Sequence, residues 1–314
     1  MLPDTGSDDP RLSLAGMPAP GKAVVSAIII NKNTRDLLLG SLDCLLGNAD
    51  VPVEAIVVDN ASADGSADAV AAEFPFVKVV RRGRDSGYGR AGNAGLSVAE
   101  GRFILLLDPS VAVQPWCVGR LADLLLTRPD AGAASPRLKH TDGRLDVAAR
   151  RGFPTPGSTI YTVTGLSQVF PRSPRFNGHN MGHRTTADTH EIDAGTVACL
   201  MVRRSAVDRV GFFDPDYHRY GEDIDLCYRL KAGGWKVFYV PDAVAARAQP
   251  ILTKAELRGE LWDYYRSMWT FHHKHYAADL PAFANGLVWA ANWARFVYMA
   301  AKVEILADPS GLRP

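Results

Sequence analysis

From Ala23 to Arg128 the chain alternates between two hydrophobic periods. "AVVSAIII" (Ala23–Ile30) is an unbroken, largely β-branched run, the pattern of a strand buried on both faces. Leu37, Leu38, Leu42, Leu45 and Leu46 then recur on one broad face of a predicted helix, Arg35–Gly47. "VEAIVVDN" (Val53–Asn60), "FVKVVRR" (Phe76–Arg82) and "RFILLLD" (Arg102–Asp108) read as three more strands. Helices are predicted from near Ser66, after the Gly-rich segment at Gly87, and from Gln114 to about Arg128. Four strand–helix alternations in a row predict an α/β fold with a doubly wound, mainly parallel sheet. Its carboxyl edge, where open α/β sheets bind ligands, would carry Asn31, Asp59, Asn60, Asp85 and Asp108.

The pattern then changes. "AGAASPRLKHTDGRLD" predicts a strand and hairpin, but from Ala149 to about Glu191 prolines and glycines interrupt every periodicity. A connection of that length is expected to act as a lid or a partner-binding surface. "DAGTVACLMVRR" restores a strand, followed by a short helix capped by Ser205 and stopped by Gly211, and later by the strand "WKVFYVP". Thr253-x-x-Glu256 is a capping box opening a helix that carries Leu257, Leu261, Tyr264, Met268 and Phe271 on one face. A last helix, from about Pro281 to Leu306, bears Trp289, Trp293 and Phe296. These breaks divide the chain into a disordered tail over residues 1–22, a domain over 23–250 and a helical extension over 251–314.

Composition narrows the classes. A chain 47% hydrophobic and 22% charged can build a core, and its net charge of +1, without a Lys/Arg run, makes nucleic acid an unexpected partner. Four scattered cysteines suit buried positions in a reducing cytoplasm, with neither disulfides nor a zinc site. The Pro-, Gly- and Asp-rich start is not a signal peptide, and no apolar run long enough to span a bilayer is expected. His179 and His183 have helical ligand spacing, but flanking glycines favour a loop. The Trp-bearing terminal helices suit packing or a homodimer contact first, and also a peripheral membrane face.

Three segments could carry chemistry. Asp59-Asn60 ends a buried strand ahead of small polar residues, as a nucleoside-binding carboxylate would or as a simple turn would. Gly87–Gly95 could let backbone approach an anion, or only pack a helix tightly on the sheet. In Tyr220–Leu230 three acids open a helix. They favour its dipole, yet Glu222 and Asp223 project about 100° apart, so one could accept a proton while the other orients it.

In their order and spacing, "VSAIIINKN", "VDNASADGS", "GYGRAGNAGL", "LLLDPS" and the long "CLMVRRSAVDRVGFFDPDYHRYGEDIDLCYRLKAGGWKVFYVPDA" resemble the inverting family-2 glycosyltransferases of the GT-A fold, in a rhamnosyltransferase-like branch. That resemblance implies a nucleotide-diphosphate-sugar donor, dTDP-rhamnose or a UDP-sugar. It implies a glycan or polyprenyl-linked acceptor in surface polysaccharide synthesis, and an enzyme in the cytoplasm at the inner face of the plasma membrane. Asp223 would be the general base with Glu222 beside it. Asn31, Asp59, Asn60, Gly87, Arg90 and Asn93 would bind the donor, and Asp193, Gly195 and Thr196 would floor the acceptor site.

Two positions depart from the family pattern. Asp108 falls in the metal-binding acidic motif, but its usual partner carboxylate is Ser110. Arg247 stands where a metal-binding histidine is common. A hydroxyl is a poor ligand for a hard cation, whereas arginine offers a permanent charge to phosphate. The expectation is that Arg247 partly replaces Mg²⁺ or Mn²⁺ on the leaving diphosphate, with Asp108 either a weak single metal ligand or a ribose contact and no organic cofactor involved. The rival expectation is a non-catalytic homologue that binds nucleotide-sugars and supports a partner transferase.

Overall fold

The structure, a computed structural model, describes residues 24–163, 165–179, 181, 184–248 and 252–306. The tail expected over residues 1–22 and His183 lie outside them. In chain order the elements are β1 (Val25–Asn31), α1 (Arg35–Gly47), β2 (Val53–Asp59), α2 (Ser66–Glu73), β3 (Lys78–Arg81), α3 (Tyr88–Leu96), β4 (Phe103–Leu107), β5 (Val111–Val113), α4 (Cys117–Thr127) and β6 (Ala131–His140). They continue as α5 (Pro156–Val163), α6 (Leu166–Val169), β7 (His190–Ile192), β8 (Cys199–Arg203), α7 (Arg204–Val210), α8 (Glu222–Ala232), β9 (Lys236–Arg247), α9 (Lys254–His275) and α10 (Ala282–Ile305).

One sheet runs β3-β2-β1-β4-β8-β6-β9-β5, with β7 paired to β9. β1 lies parallel to β2 and β4, and β2 parallel to β3, as the fourfold alternation predicts. The second half is mixed, because β8 is antiparallel to both β4 and β6 while β6 and β9 are parallel. Side chains alternate across the strands. Ala27 and Ile29 of β1 join Leu38, Leu42, Leu121 and Leu125 of α1 and α4 in one core layer. Ile28 and Ile30 join Ala91 of α3, Leu226 and Leu230 of α8 and Phe271 of α9 in the other. Continuous apolar strands follow from a sheet covered on both faces.

β9 bends where it matters. Its pairing with β6 slips between Pro136/Val240 and Arg137/Val244, so Pro241, Asp242 and Ala243 bulge out. Proline is tolerated at such a bulge because it has no N–H to offer the ladder. The bend carries the last residues of β9 across to β5, where Arg247 pairs with Val111 and the Ala248 N–H donates to the Ser110 carbonyl at 2.8 Å.

The irregular stretch after Ala149 contains two short helices, α5 and α6, which local periodicity did not reveal. Ser205 lies inside α7, whose N-cap is Arg203, whereas Gly211 ends that helix at φ 81° as expected. The Thr253/Glu256 capping box forms, and α9 and α10 pack together, with Trp262 tilted against Trp293 and edge-on to Phe296. Phe271 and His275 tie α9 into the main core, since His275 Nε2 lies 2.8 Å from Asp225 Oδ1 on α8.

Candidate active site

The carboxyl ends of β1 and β2 are in register at Asn31 and Asp59. Asn31 Nδ2 donates to Ser62 Oγ at 3.0 Å and to Asp59 Oδ1 at 3.4 Å, and the Ser62 N–H reaches Asp59 Oδ2 at 3.3 Å. Asp59 is thus a buried carboxylate holding its loop from within. Asn60 is otherwise occupied than the resemblance implies. Its amide donates to Asp85 Oδ1 at 2.7 Å and accepts from the Ser86 N–H at 3.0 Å, so it clamps the β3–α3 turn. Asn93 likewise grips the Phe213 backbone, donating at 2.9 Å and accepting at 3.1 Å.

The Gly-rich segment follows the packing alternative. Gly87 has φ 77°, and a Cβ there would lie 2.6 Å from His218 Nδ1; one on Gly92 would meet the Phe213 ring at 2.5 Å. One on Gly95 would meet Ile28 at 2.6 Å, so these glycines set α3 close against the sheet and the segment leading into α8. Arg90 is exposed on α3. One further member of the segment is Tyr88, whose ring packs edge-on against Phe213 with centroids 5.7 Å apart. Its hydroxyl is buried without a hydrogen-bond partner among the described residues. Burial first, then the charges of Asp108, Glu222 and Asp223, push its ionisation well above the tyrosine range. The hydroxyl therefore stays protonated, in the field of the Asp108, Glu222 and Asp223 carboxyl groups.

Asp108 turns the chain after β4: its Oδ1 accepts from the Ser110 N–H at 2.9 Å and from Ser110 Oγ at 2.5 Å. Arg247 stands across from it, bonded at 3.2 Å to the buried Asp146. Burial works against the Arg247 cation, but Asp108 and Asp146 outweigh it and raise its pKa. Among the described residues no three His, Cys, Asp or Glu side chains gather as a metal would require. One carboxylate, already holding a hydroxyl and opposed by a guanidinium, is not a donor set that fits a resident divalent cation.

Tyr220 and Gly221, at φ 68° and 85°, turn the chain into α8, and a Cβ on Gly221 would touch the Tyr217 ring at 2.9 Å. A non-glycine residue in the left-handed region stores strain of the kind functional sites tolerate. The turn sets Glu222 and Asp223, 3% and 6% exposed, side by side at the start of α8. Arg151, from the irregular segment, donates to Asp223 Oδ2 at 2.5 Å. The Val197 N–H approaches the same oxygen at 3.4 Å, and Arg151 also reaches the Gly195 carbonyl at 3.5 Å. Residues 193–197 therefore lie beneath Asp223, although Asp193 itself is paired with Lys231 at 2.8 Å, and the Thr196 hydroxyl accepts from the Ala198 N–H at 3.3 Å. Among the described residues Glu222 enters no ion pair, and its Oε2 is buried and unbonded. Burial, and then the Asp223 charge, push it up to about 8. The pair holds one carboxylate on an arginine and one carboxylic acid at neutral pH.

The sheet order, the loop at Asp59 on the carboxyl edge of the sheet and the acid pair opening α8 are those of a glycosyltransferase of GT-A architecture. The family model for glycosyl transferase family 2 matches residues 26–211, more than half of the chain, and that for glycosyl transferase family group 2 matches residues 177–301. The chain belongs to glycosyl transferase family 2. It is 29% identical over 232 residues, 70% of this chain and 74% of the relative, to the N-acetylglucosaminyl-diphospho-decaprenol L-rhamnosyltransferase of Mycobacterium tuberculosis. It is 33% identical over 220 residues, 70% of this chain and 59% of the relative, to the succinoglycan biosynthesis protein ExoO of Rhizobium meliloti. Among solved structures, the fold is similar to the mannosyltransferase PcManGT of Pyrobaculum calidifontis in complex with GDP-Man and Mn²⁺. The TM-score is 0.55 and the identity 19%, over 94% of this chain and 79% of that one. It is also similar to S. aureus TarS 1-349, with a TM-score of 0.53 and 17% identity over 88% and 73% of the two chains.

Proposed function

We propose that this glycosyltransferase moves a sugar from a nucleoside diphosphate to a hydroxyl of a lipid-linked or other envelope glycan, by one inverting displacement. The observation that carries the proposal is the buried acid pair opening α8, with Asp223 held by Arg151, and with Tyr88 lying in the field of that pair and of Arg247. In this reading Asp59 and Asn31 take the nucleoside end of the donor, and Arg247 and the Tyr88 hydroxyl meet the diphosphate. Asp223 takes the proton of the acceptor hydroxyl as that oxygen attacks the sugar carbon and the nucleoside diphosphate departs. Negative charge grows on the leaving group, and a fixed guanidinium stabilises it without reorganising. Glu222, uncharged, keeps a second negative charge away from the incoming oxygen.

A lipid-linked acceptor is supported by the diphospho-decaprenol substrate in the name of the mycobacterial relative and by α10. No described helix is long and apolar enough to cross a membrane. The outer side of α10 nevertheless exposes Phe283, Leu287, Val297 and Ile305, with Arg295 and Lys302 beside Tyr298, as an interfacial helix would. A thermal-shift screen of UDP-, GDP- and dTDP-sugars, with and without Mn²⁺ and EDTA, tests the donor half. One donor class should raise the melting temperature and release nucleoside diphosphate. Binding without turnover would support the non-catalytic alternative, and no binding at all would remove both.

A further inference from the structure

A cavity of about 560 Å³ opens beside the acceptor floor, lined by Gly152, Asp193, Arg175, Arg184, Lys231 and His179. Its charge is unusual for this protein. The segment 149–191 holds five arginines against one aspartate and one glutamate, in a chain whose net charge is only +1. Lys231 is neutralised by Glu191 and Asp193, at 3.0 and 2.8 Å. Arg175 and Arg184 enter no ion pair among the described residues, and the Nδ1 of His179 is buried there without a partner. Burial, then the charge of Arg151, lowers His179 to about 4, so it offers hydrogen bonds and no charge at neutral pH. The lining carries Arg175, Arg184 and Lys231 against Glu191 and Asp193, so the cavity is net positive, and its two guanidiniums outside any ion pair among the described residues suit an oxyanion, to which arginine binds through paired N–H groups.

The cavity's position limits which anion that is. Lys231 follows Asp223 by eight residues on α8, about 12 Å along the helix axis. Gly152, at the cavity wall, is the residue after the Arg151 that holds Asp223. On the far side α5, from the same segment, packs against α10. The cavity therefore lies between the base and the helix with the apolar outer face. We infer that it receives a phosphate or diphosphate group carried by the acceptor, placed so that the acceptor sugar reaches Asp223 and any lipid chain leaves towards α10. The inference rests on the reading of this site as a sugar transferase.

Calorimetry on the full chain tests it. The protein is first saturated with the nucleoside diphosphate of its donor and then titrated with inorganic pyrophosphate and, separately, farnesyl diphosphate. Pyrophosphate should still bind to the saturated protein. The double variant Arg175→Ala, Arg184→Ala should weaken that second event by roughly tenfold or more, about 1.4 kcal/mol, and leave the nucleotide affinity unchanged. Both arginines are exposed, so an unaltered melting temperature confirms that the variant folds. Tighter binding of farnesyl diphosphate than pyrophosphate supports a lipid-borne group, and equal binding supports the subsite for a soluble phosphorylated acceptor. Pyrophosphate excluded by bound nucleotide, or bound equally by the double variant, overturns the inference. If the nucleoside diphosphate itself does not bind, the donor reading fails. The pyrophosphate titration of wild type and double variant then still decides the cavity.

Discussion

Replacing Glu222 by glutamine separates the two members of the acid pair. The folded protein keeps the Glu222 proton up to about pH 8, while the unfolded chain releases it near the ordinary value of 4.5. Because the folded-state value is raised, the stability linked to this group is complete below 4.5. It falls as pH climbs through that window and levels off above 8. Between about pH 6 and pH 8 the loss is on the order of 3 kcal/mol, at about 1.4 kcal/mol per pH unit. Glutamine has no proton to lose, so the stability of Glu222→Gln relative to wild type should rise by that order between about pH 6 and pH 9, read from urea denaturation followed by tryptophan fluorescence. The same variant imitates the protonated acid and should retain turnover within a few-fold at neutral pH, whereas Asp223→Asn should lose roughly 10²–10⁴-fold. Parallel pH dependences for variant and wild type would refute the protonated state of Glu222. A dead Glu222→Gln beside an active Asp223→Asn would exchange their roles.

Asp59→Ala should weaken calorimetric binding of the free nucleoside diphosphate as well as the intact donor; unchanged affinity in a folded variant would make Asp59 a loop clamp only. Activity should largely survive EDTA, and Arg247→Ala should cost more turnover than Ser110→Ala; complete loss in EDTA with full rescue by Mn²⁺ would instead make Asp108 a working metal ligand. Tyr88→Phe should lower kcat/KM for the donor without lowering the melting temperature, because a buried, unpartnered hydroxyl costs about 1–3 kcal/mol to keep. A destabilised variant with unchanged kinetics would give the hydroxyl a structural role.

What the sequence showed and what it hid divide along the range of the interactions. The first four strands and their helices were visible because a strand buried on both faces and an amphipathic helix are local patterns, and α1 spans the predicted residues 35–47. The acid pair was visible because Glu222 and Asp223 are adjacent. The partners were not. Arg151 reaches Asp223 across 72 residues, Asp146 reaches Arg247 across 101, and His275 reaches Asp225 across 50, through sheet pairings and helix docking that no period encodes. The glycines of α3 illustrate the converse. Their spacing suggested a ligand loop, but close packing on Phe213, His218 and Ile28 demands the same residues. Asn60 and Asn93 share that ambiguity, since an amide at a strand end or within a helix serves a neighbouring loop as readily as a nucleotide.

The stereochemistry of transfer bears on the whole scheme at once. A single displacement activated by Asp223 must invert the anomeric carbon, because the acceptor oxygen attacks from the face opposite the departing diphosphate. Proton NMR of the first-formed product, from a donor of known anomeric configuration, reads this from the coupling and shift of one proton. The inverted anomer is the predicted product. A product that retains the donor's configuration would require a second displacement or a front-face path, and would contradict the role given to Asp223.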